Sequence, residues 1–314
     1  MKVNASSMSA AVNPEKFRAA IFDNIQSEEI GFSNYSYWRS TLHTFFRNKA
    51  VLCLVVLITA LIIMSFVYPI VSDTDPTQVS IMPLEWNIRP NAQHLFGTDT
   101  LGRDIWARAW YGARNSFLLA FCIAISDVGL GMIVGAIWGY NKKLDPIMIE
   151  IYNLITNIPS TVYLVLLAYI MNASYFTLFF AMASRGWIVE ARFFRNRILS
   201  IRDSEYNIAS KCLGTPMFRI ATKNIIPHII SLIIMEAALC IPYSIGSEVF
   251  LSFVGVGLPV DAITLGNIVN QGRASFTLHP YQMLLPTIIL CIITVAFYVI
   301  GNKFADASDP RNHV

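Results

Sequence analysis

The sequence predicts an all-α membrane protein with six transmembrane helices, and three observations lead to this fold class. First, 55% of the 314 residues are hydrophobic and only 14% are charged. Second, the mean hydropathy of +0.52 is too high for an ordinary globular domain. Third, the apolar residues form long runs, and the longest reach the ~20 residues that a helix needs to cross the bilayer core.

Residues 1–49 are predicted to form a cytoplasmic segment that precedes the first span. They are mixed polar sequence, and no secretory signal peptide is visible in them. Within this segment, residues 35–49 combine aromatic with basic side chains, a pattern typical of an interfacial helix on the inner leaflet. Residues 50–71 follow as the first predicted span.

Residues 72–114 are predicted to form a long outer loop. Near its end lie Trp106, Trp110 and Tyr111, whose rings favour the headgroup region of a membrane. We therefore predict a surface helix there, leading into a second span at residues 115–140.

The remaining predicted spans are residues 147–171, 175–189, 229–253 and 281–301. Together the six spans make one domain over residues 50–301, with short connections as in a helical bundle. The longer connections are a cytoplasmic insert at 191–228 and an outer loop at 254–280, and a tail follows at 302–314. This topology places 17 of the 23 Lys and Arg residues on the inner side, so both termini are predicted to be cytoplasmic.

Residues 203–228, which we call the polar insert, are the one polar, helix-forming stretch between these apolar runs. Asp203 or Ser204 can cap a first helix, because their side-chain oxygens accept the free N–H groups of its first turn. Gly214 is expected to end that helix, and the Thr-Pro pair that follows is expected to start a second one. The sequence therefore predicts two short helices joined by a turn.

The first helix of the polar insert has the features of a docking surface. Its apolar residues Ile208, Cys212 and Leu213 share one face with Ala209. The small side chains of Ala209 and Ser210 would let another backbone approach closely. We expect this helix to bind a partner protein.

Two motifs make the sequence similar to the permeases of ATP-binding-cassette importers. E-Y-x-x-A-x-x-x-L-G, which begins at Glu205, resembles the cytoplasmic coupling loop of that family. F-G-T-D-x-L-G-R-D followed by Y-G-A-R resembles the oligopeptide, dipeptide and nickel branch, in particular its second, OppC-like permease subunit. N-I-P and A-D-A-S-D-P-R are most similar to Gram-positive oligopeptide permeases, and the resemblance covers nearly the whole chain.

The resemblance implies a type I importer fold and a set of partners in the plasma membrane. The chain would pair with a homologous OppB-like permease, two ATPase subunits and an extracytoplasmic peptide-binding protein. The coupling loop would insert into a groove on an ATPase. The coupling residues implied are Glu205, Ile208, Ala209, Ser210, Leu213 and Gly214. Ile208 stands where the family often has a glutamate, which leaves Glu205 as the nearby acid.

The sequence predicts no catalytic function for the chain itself. It contains no G-x-x-x-x-G-K-[ST] phosphate-binding loop, so ATP and Mg²⁺ would be bound by the partner ATPases and no cofactor by this chain. The histidines and the five cysteines lack metal-ligand spacing, and no metal is predicted. The small net charge of +3 is dispersed, which excludes a nucleic-acid-binding footprint.

Polar residues within the predicted spans are candidates for the translocation path. Glu150, Asn153 and Asn157 share one face of the third span, and they could instead form hydrogen bonds between helices. Three single acids in other spans are further candidates for the path: Asp127, Glu236 and Glu248. Asp127 could also pair with a neighbouring span, and Glu248 could face the outer vestibule or pack between spans.

Arg103 and Arg108 lie in the predicted outer segment, against the tendency of basic residues to stay inside. They could contact an acidic rim of a binding protein, or pair with Asp99 and Asp104. Permeases for dipeptides or nickel remain alternatives for the whole chain. So does an ion-coupled secondary transporter, although such a protein would be expected to show repeats and paired intramembrane charges.

Overall fold

The computed structural model describes residues 37–172, 174–259 and 261–308. These residues are helical and contain no strand, since the only extended pairing among them is an isolated bridge between Thr98 and Asp104. The all-α fold class is therefore confirmed. The predictions for residues 1–36 and for the last part of the tail, 309–314, lie outside the described residues. The chain divides into units 1–40 and 41–314, and the following description concerns the second.

The helices are α1 (Tyr37–Arg47), α2 (Lys49–Val71), a 3-10 turn (Pro83–Glu85), α3 (Ile105–Tyr140), α4 (Asp145–Thr156), α5 (Ser160–Ile170), α6 (Tyr175–Arg202), α7 (Glu205–Cys212), α8 (Met217–Ile220), a π-helical turn (Ala221–Ile225), α9 (Ile226–Val254), α10 (Leu265–Ala274) and α11 (Tyr281–Ser308).

Among the described residues, four helical segments are long and apolar enough to cross a membrane, and they make this a multi-pass membrane protein. They are α2, α3, the continuous stretch Ala221–Val254, and α11. The fourth predicted span corresponds to α6, which runs past residue 189 to Arg202 and carries too many charges to qualify by length and composition. The count of six spans therefore stays a prediction.

The third predicted span is not a straight helix. Helices α4 and α5 meet at an angle of 73° across a break of a few residues. Pro159 lies in this break, where its ring disfavours a helical conformation at the preceding residue and its nitrogen cannot donate a hydrogen bond. The third predicted span, residues 147–171, is therefore divided into two helices, and its crossing of the membrane stays a prediction.

The predicted surface helix and the second span are one element. Helix α3 runs for 36 residues without a proline, and its first turn is capped by the Asp104 side chain, which accepts from Ala107 N at 2.8 Å. The prediction of a separate helix ahead of residue 115 is therefore wrong. The long helix reaches from the Ser72–Arg103 loop through the whole domain, and it contacts α2, α6, α9 and α10.

A stripe of glycines lets α6 lie directly on α3. Gly131, Gly135 and Gly139 recur every four residues and therefore face the same way along α3. A β-carbon at Gly135 would come within 2.6 Å of the Ala191 carbonyl oxygen and 2.9 Å of the Phe194 β-carbon. This close packing of the two backbones fixes which side chains of α6 meet those of α3.

Candidate coupling surface and charged cavity

The first helix of the polar insert ends as its sequence predicts. Helix α7 ends at Cys212, and Gly214 follows with a φ of +79°, a conformation that glycine adopts without steric cost. The predicted cap differs, since the Ser204 hydroxyl donates to the Ile201 carbonyl at 2.7 Å and accepts no backbone N–H of the first turn. The carboxylate of Asp203 is held by Arg202 instead.

The second helix of the polar insert is continuous with the membrane segment that follows it. The Pro216 carbonyl accepts from Arg219 N at 2.9 Å and starts the turn that leads into α8. A π-helical turn then joins α8 directly to α9, with Pro227 in the first turn of α9. Because no loop separates them, a displacement of the insert is carried into α9.

Four apolar side chains of the polar insert are exposed, and together we call them the coupling surface. They are Tyr206, Ile208, Leu213 and Met217. Leu213 is 86% exposed and Ile208 is 50% exposed. Ala209 and Cys212 are exposed beside them, and Ser210 is half-buried. Clustered exposed apolar side chains on a polar segment are typical of a protein interaction site.

Two asparagines hold α7 against the rest of the domain. Asn207 is buried, and its side-chain amide donates to the Ile201 carbonyl at 3.0 Å. Asn224, in the π-helical turn, donates to the Asn207 side-chain oxygen at 3.0 Å. The ring of Tyr206 stacks on His228 with centroids 5.8 Å apart. The sequence analysis did not assign these residues, because their pairing depends on how the insert folds back.

A second set of contacts links the start of the insert to α3. Arg202 donates one N–H to the Gly139 carbonyl at 2.8 Å and two more to the carboxylate of Asp203, at 2.8 and 2.9 Å. The hydrogen bonds from Arg202 lower the pKa of Asp203 below its ordinary value. The carboxylate therefore stays ionised, and the ion pair persists at neutral pH.

Hydrogen bonds to one carboxylate also connect α3, α4 and α6 near the polar insert. Arg195 of α6 makes a two-point contact with Asp145 of α4, at 2.7 and 2.6 Å. Trp138 of α3 donates its ring N–H to the same carboxylate at 2.7 Å. Asp145 thus connects α3, α4 and α6 next to the polar insert.

Between α3, α5, α6 and α9 lies a cavity of about 340 Å³, which we call the charged cavity. Its charged lining residues are Asp127, Arg185, Glu190 and Glu236. The structure thus brings the two predicted path residues Asp127 and Glu236 together. Arg185 and Glu190 were not predicted to belong to a site, although charged residues within an otherwise apolar helix are a recognisable signal.

The structure places the other predicted path residues away from the charged cavity. Glu150 is exposed on α4, Asn153 is half-buried on the same helix, and Asn157 caps its end at the break. Their part in the path stays a prediction. Glu248 is 1% exposed and accepts from Thr264 at 2.6 Å and from Ser252 at 3.2 Å, so it lies at the packing site between α9 and α10.

Arg103 and Arg108 pair with Asp99, as one of the two interpretations of the sequence expected. The Arg103 Nε donates to Asp99 Oδ2 at 2.7 Å, and Arg108, only 2% exposed, donates to the same oxygen. Arg103 also donates to Gln271 of α10 at 3.0 Å. The predicted contact of Arg103 and Arg108 with a binding protein is untested. Asp104 does not join this pairing, because it caps α3 and contacts His94.

Removing the Asp99 carboxylate should destabilise the domain. Asp99→Ala leaves the buried Arg108 guanidinium without its anion, and breaking a buried pair in this way costs about 3 kcal/mol. We expect a clear drop in the melting temperature of the purified protein. Asp75→Ala, which removes an exposed carboxylate of the same loop that bonds only to its neighbour Thr77, is the control and should change the melting temperature little. Equal shifts for the two variants would contradict this role of Asp99.

Comparison with known proteins assigns the chain to a family. Residues 128–314 match the model of the binding-protein-dependent transport system inner membrane component. Residues 36–90 match the N-terminal transmembrane domain of oligopeptide transport permease C.

Relatives align along nearly the whole chain. The oligopeptide transport system permease protein AmiD of Streptococcus pneumoniae is 38% identical over 97% of this chain and 99% of its own length. The oligopeptide permease protein OppC of Bacillus subtilis is 32% identical, over 94% of this chain and 96% of its own length. The dipeptide permease protein DppC of the same species is 31% identical, over 92% and 90%. The chain therefore belongs to the family of binding-protein-dependent transport system inner membrane components, which are the permease proteins of such transport systems.

Proposed function

We propose that this chain is one permease subunit of an ATP-driven importer of oligopeptides. The observation that carries the proposal is the coupling surface, four exposed apolar side chains on a polar insert whose second helix continues directly into α9. Such a surface is suited to receive a movement from a docked protein and to pass it into the membrane-spanning helices. The oligopeptide permeases among the relatives support the choice of cargo.

In this proposal the chain has no catalytic role, and its partners supply the energy. Two ATPase subunits bind ATP and Mg²⁺, and one of them docks on the polar insert. A homologous permease forms the second wall of the path, and an extracytoplasmic binding protein delivers the peptide. The polar insert and both termini then face the cytoplasm of a plasma-membrane protein.

Dipeptides are the second candidate cargo, because a dipeptide permease is among the relatives. The two cargoes can be separated in proteoliposomes that contain this chain, its permease partner, the ATPases and the binding protein. We expect ATP-dependent uptake of a labelled pentapeptide that an excess of dipeptide does not suppress. Suppression by dipeptide at equal concentration would favour the second candidate.

The same proteoliposomes test the energy source. Uptake should stop when ATP is withheld and should survive an ionophore that collapses the proton gradient. Uptake that continues without the ATPases and stops with the ionophore would overturn the proposal in favour of an ion-coupled secondary transporter.

A further inference from the structure

The charged cavity contains more negative than positive side chains. Asp127, Glu190 and Glu236 face a single basic residue, Arg185. Among the residues that the structure describes, no ion pair joins any of these four to another residue. Burying several carboxylates between membrane-spanning helices is costly, so such a cluster is stabilised by protons, by a cation or by a hydrogen-bond donor from elsewhere.

Asp127 is the acid with the strongest requirement for a ligand. Asp127 is 6% exposed, and its buried Oδ1 atom has no hydrogen-bond partner among the residues that the structure describes. The buried Oε2 atom of Glu190 likewise has none within the described part of the chain. Two carboxyl groups of the cavity lining therefore each have an oxygen without a donor among these residues.

Arg185 does not neutralise these acids. Its Nη2 atom points to the Thr156 carbonyl at 3.5 Å, where α4 ends, and its guanidinium lies 5.8 Å from the centre of the Tyr163 ring. The guanidinium is thus directed at the break between α4 and α5. The three acidic side chains, on α3, α6 and α9, therefore have no basic partner among the described residues that line the cavity.

The packing of α3 against α6 holds two of the acids one turn apart. The Asp127 carboxylate lies against Gly186, at a point where a β-carbon on α6 would clash with it. Glu190, one turn further along α6, packs on Gly131, one turn further along α3. Glu236 approaches from α9. Carboxyl groups from three helices therefore line one cavity, an arrangement that suits a group with several N–H donors.

The rest of the lining and the size of the cavity limit what it can hold. Apolar side chains such as Leu164, Met182 and Leu239 complete the wall. A volume of about 340 Å³ is near the lower end of the range for small-ligand pockets, ~300–1,000 Å³. This is enough for the end of a peptide and its first side chain, but not for a longer chain.

We propose that the charged cavity is a cargo subsite that binds the free α-ammonium group of a peptide through Asp127, Glu190 and Glu236. An ammonium group offers three donors and a positive charge, which matches three carboxylates that line one cavity. The α-ammonium is the one positive charge that every unmodified peptide carries, whatever its sequence. The inference rests on the proposed import of peptides.

The test compares two forms of one peptide in the reconstituted importer, with free and with acetylated amino terminus. Both are supplied with enough binding protein to saturate it, and the loading of that protein is measured separately for each form. The wild-type importer should move the free peptide faster. Asp127→Asn should lower the ratio of free to acetylated uptake about tenfold, because only the free form loses a charged hydrogen bond.

Glu248→Gln is the matched control, since it neutralises a buried carboxyl that lies outside the charged cavity. It should change the uptake of both forms by the same factor. If Asp127→Asn leaves the ratio of free to acetylated uptake unchanged, whether or not uptake itself falls, the proposal is overturned. The acids would then serve packing or partner binding. If Asp127→Asn does not assemble, Glu236→Gln provides the same comparison.

Photo-crosslinking gives a readout that does not depend on a variant. A peptide with a diazirine on its first residue should label this chain within the helices around the charged cavity, α3, α5, α6 and α9, during ATP-driven turnover. Labelling confined to the partner permease would overturn the proposal. A wild-type importer that moves no peptide at all would instead contradict the proposed function, so the two failures can be distinguished.

Discussion

Replacing Leu213 by aspartate should separate this permease from the ATPase that we propose docks on the polar insert. Leu213 is 86% exposed at the end of α7, and burying its side chain in a partner would stabilise the complex by about 2 kcal/mol. The aspartate loses this contribution and also places an unpaired charge in the interface. We expect at least a hundredfold weaker association and a matching loss of ATP-dependent uptake. Co-purification of the ATPases with tagged permease measures the association directly.

The control is Leu213→Met, which keeps an apolar side chain of similar size at the same position and should preserve both association and uptake. Ile208→Asp should reproduce the loss, because Ile208 belongs to the same coupling surface. The melting temperature of the isolated permease should stay unchanged in the two Leu213 variants, since this side chain is 86% exposed. Normal co-purification of the ATPases with both aspartate variants would exclude the coupling surface as their docking site.

The parts of the fold that follow from local sequence could be predicted. A long apolar run is a local property, and four such runs are indeed helices of spanning length. The turn at Gly214 is likewise local, because few other residues adopt its positive φ readily. The break at Pro159 had a local signal too. A proline inside a predicted span indicates a break, because it disfavours a helical conformation at the residue before it.

The contacts that attach the polar insert could not be read from the sequence. The Ser204 hydroxyl can either cap α7 or donate backwards to Ile201, and the two options look the same in the sequence. The bond between Asn207 and Asn224 joins residues 17 positions apart, and it exists only once α7 has folded against the π-helical turn. Capping preferences are local, whereas packing decides which of its two possible hydrogen bonds the Ser204 hydroxyl makes.

Two of the four charged residues of the charged cavity could be predicted from the sequence. The other two could not, because their place in the cavity depends on packing. Asp127 and Glu236 stood out as single acids within apolar runs, but nothing in the sequence indicates that they lie in one cavity. Arg185 and Glu190 belong to it only because α6 meets α3 along one face. The repeat of glycines at positions 131, 135 and 139 was an available signal for that face, since small residues every four positions mark close helix contacts in membranes.

Filling this contact between α3 and α6 should have the largest effect on stability. Gly135→Val places a branched side chain where the nearest atoms, the Ala191 carbonyl oxygen at 2.6 Å and the Phe194 β-carbon at 2.9 Å, are part of or bonded to the backbone. These atoms cannot move aside as the end of a flexible side chain would, so the helices must separate. Overpacking of this kind costs about 3 kcal/mol or more. We expect the melting temperature of the purified protein to fall by about 10 °C.

Gly129→Ala on the same helix provides the matched control. A β-carbon at Gly129 would meet no other atom within 4 Å, so the substitution introduces no clash. Alanine favours a helix over glycine by about 0.5–1 kcal/mol, and we expect the control to be neutral or slightly stabilising. A similar fall in melting temperature for both variants would mean that any change in α3 is harmful. A fall in melting temperature for Gly135→Val alone would locate the effect at the contact with α6, because the two substitutions differ chiefly in what surrounds them.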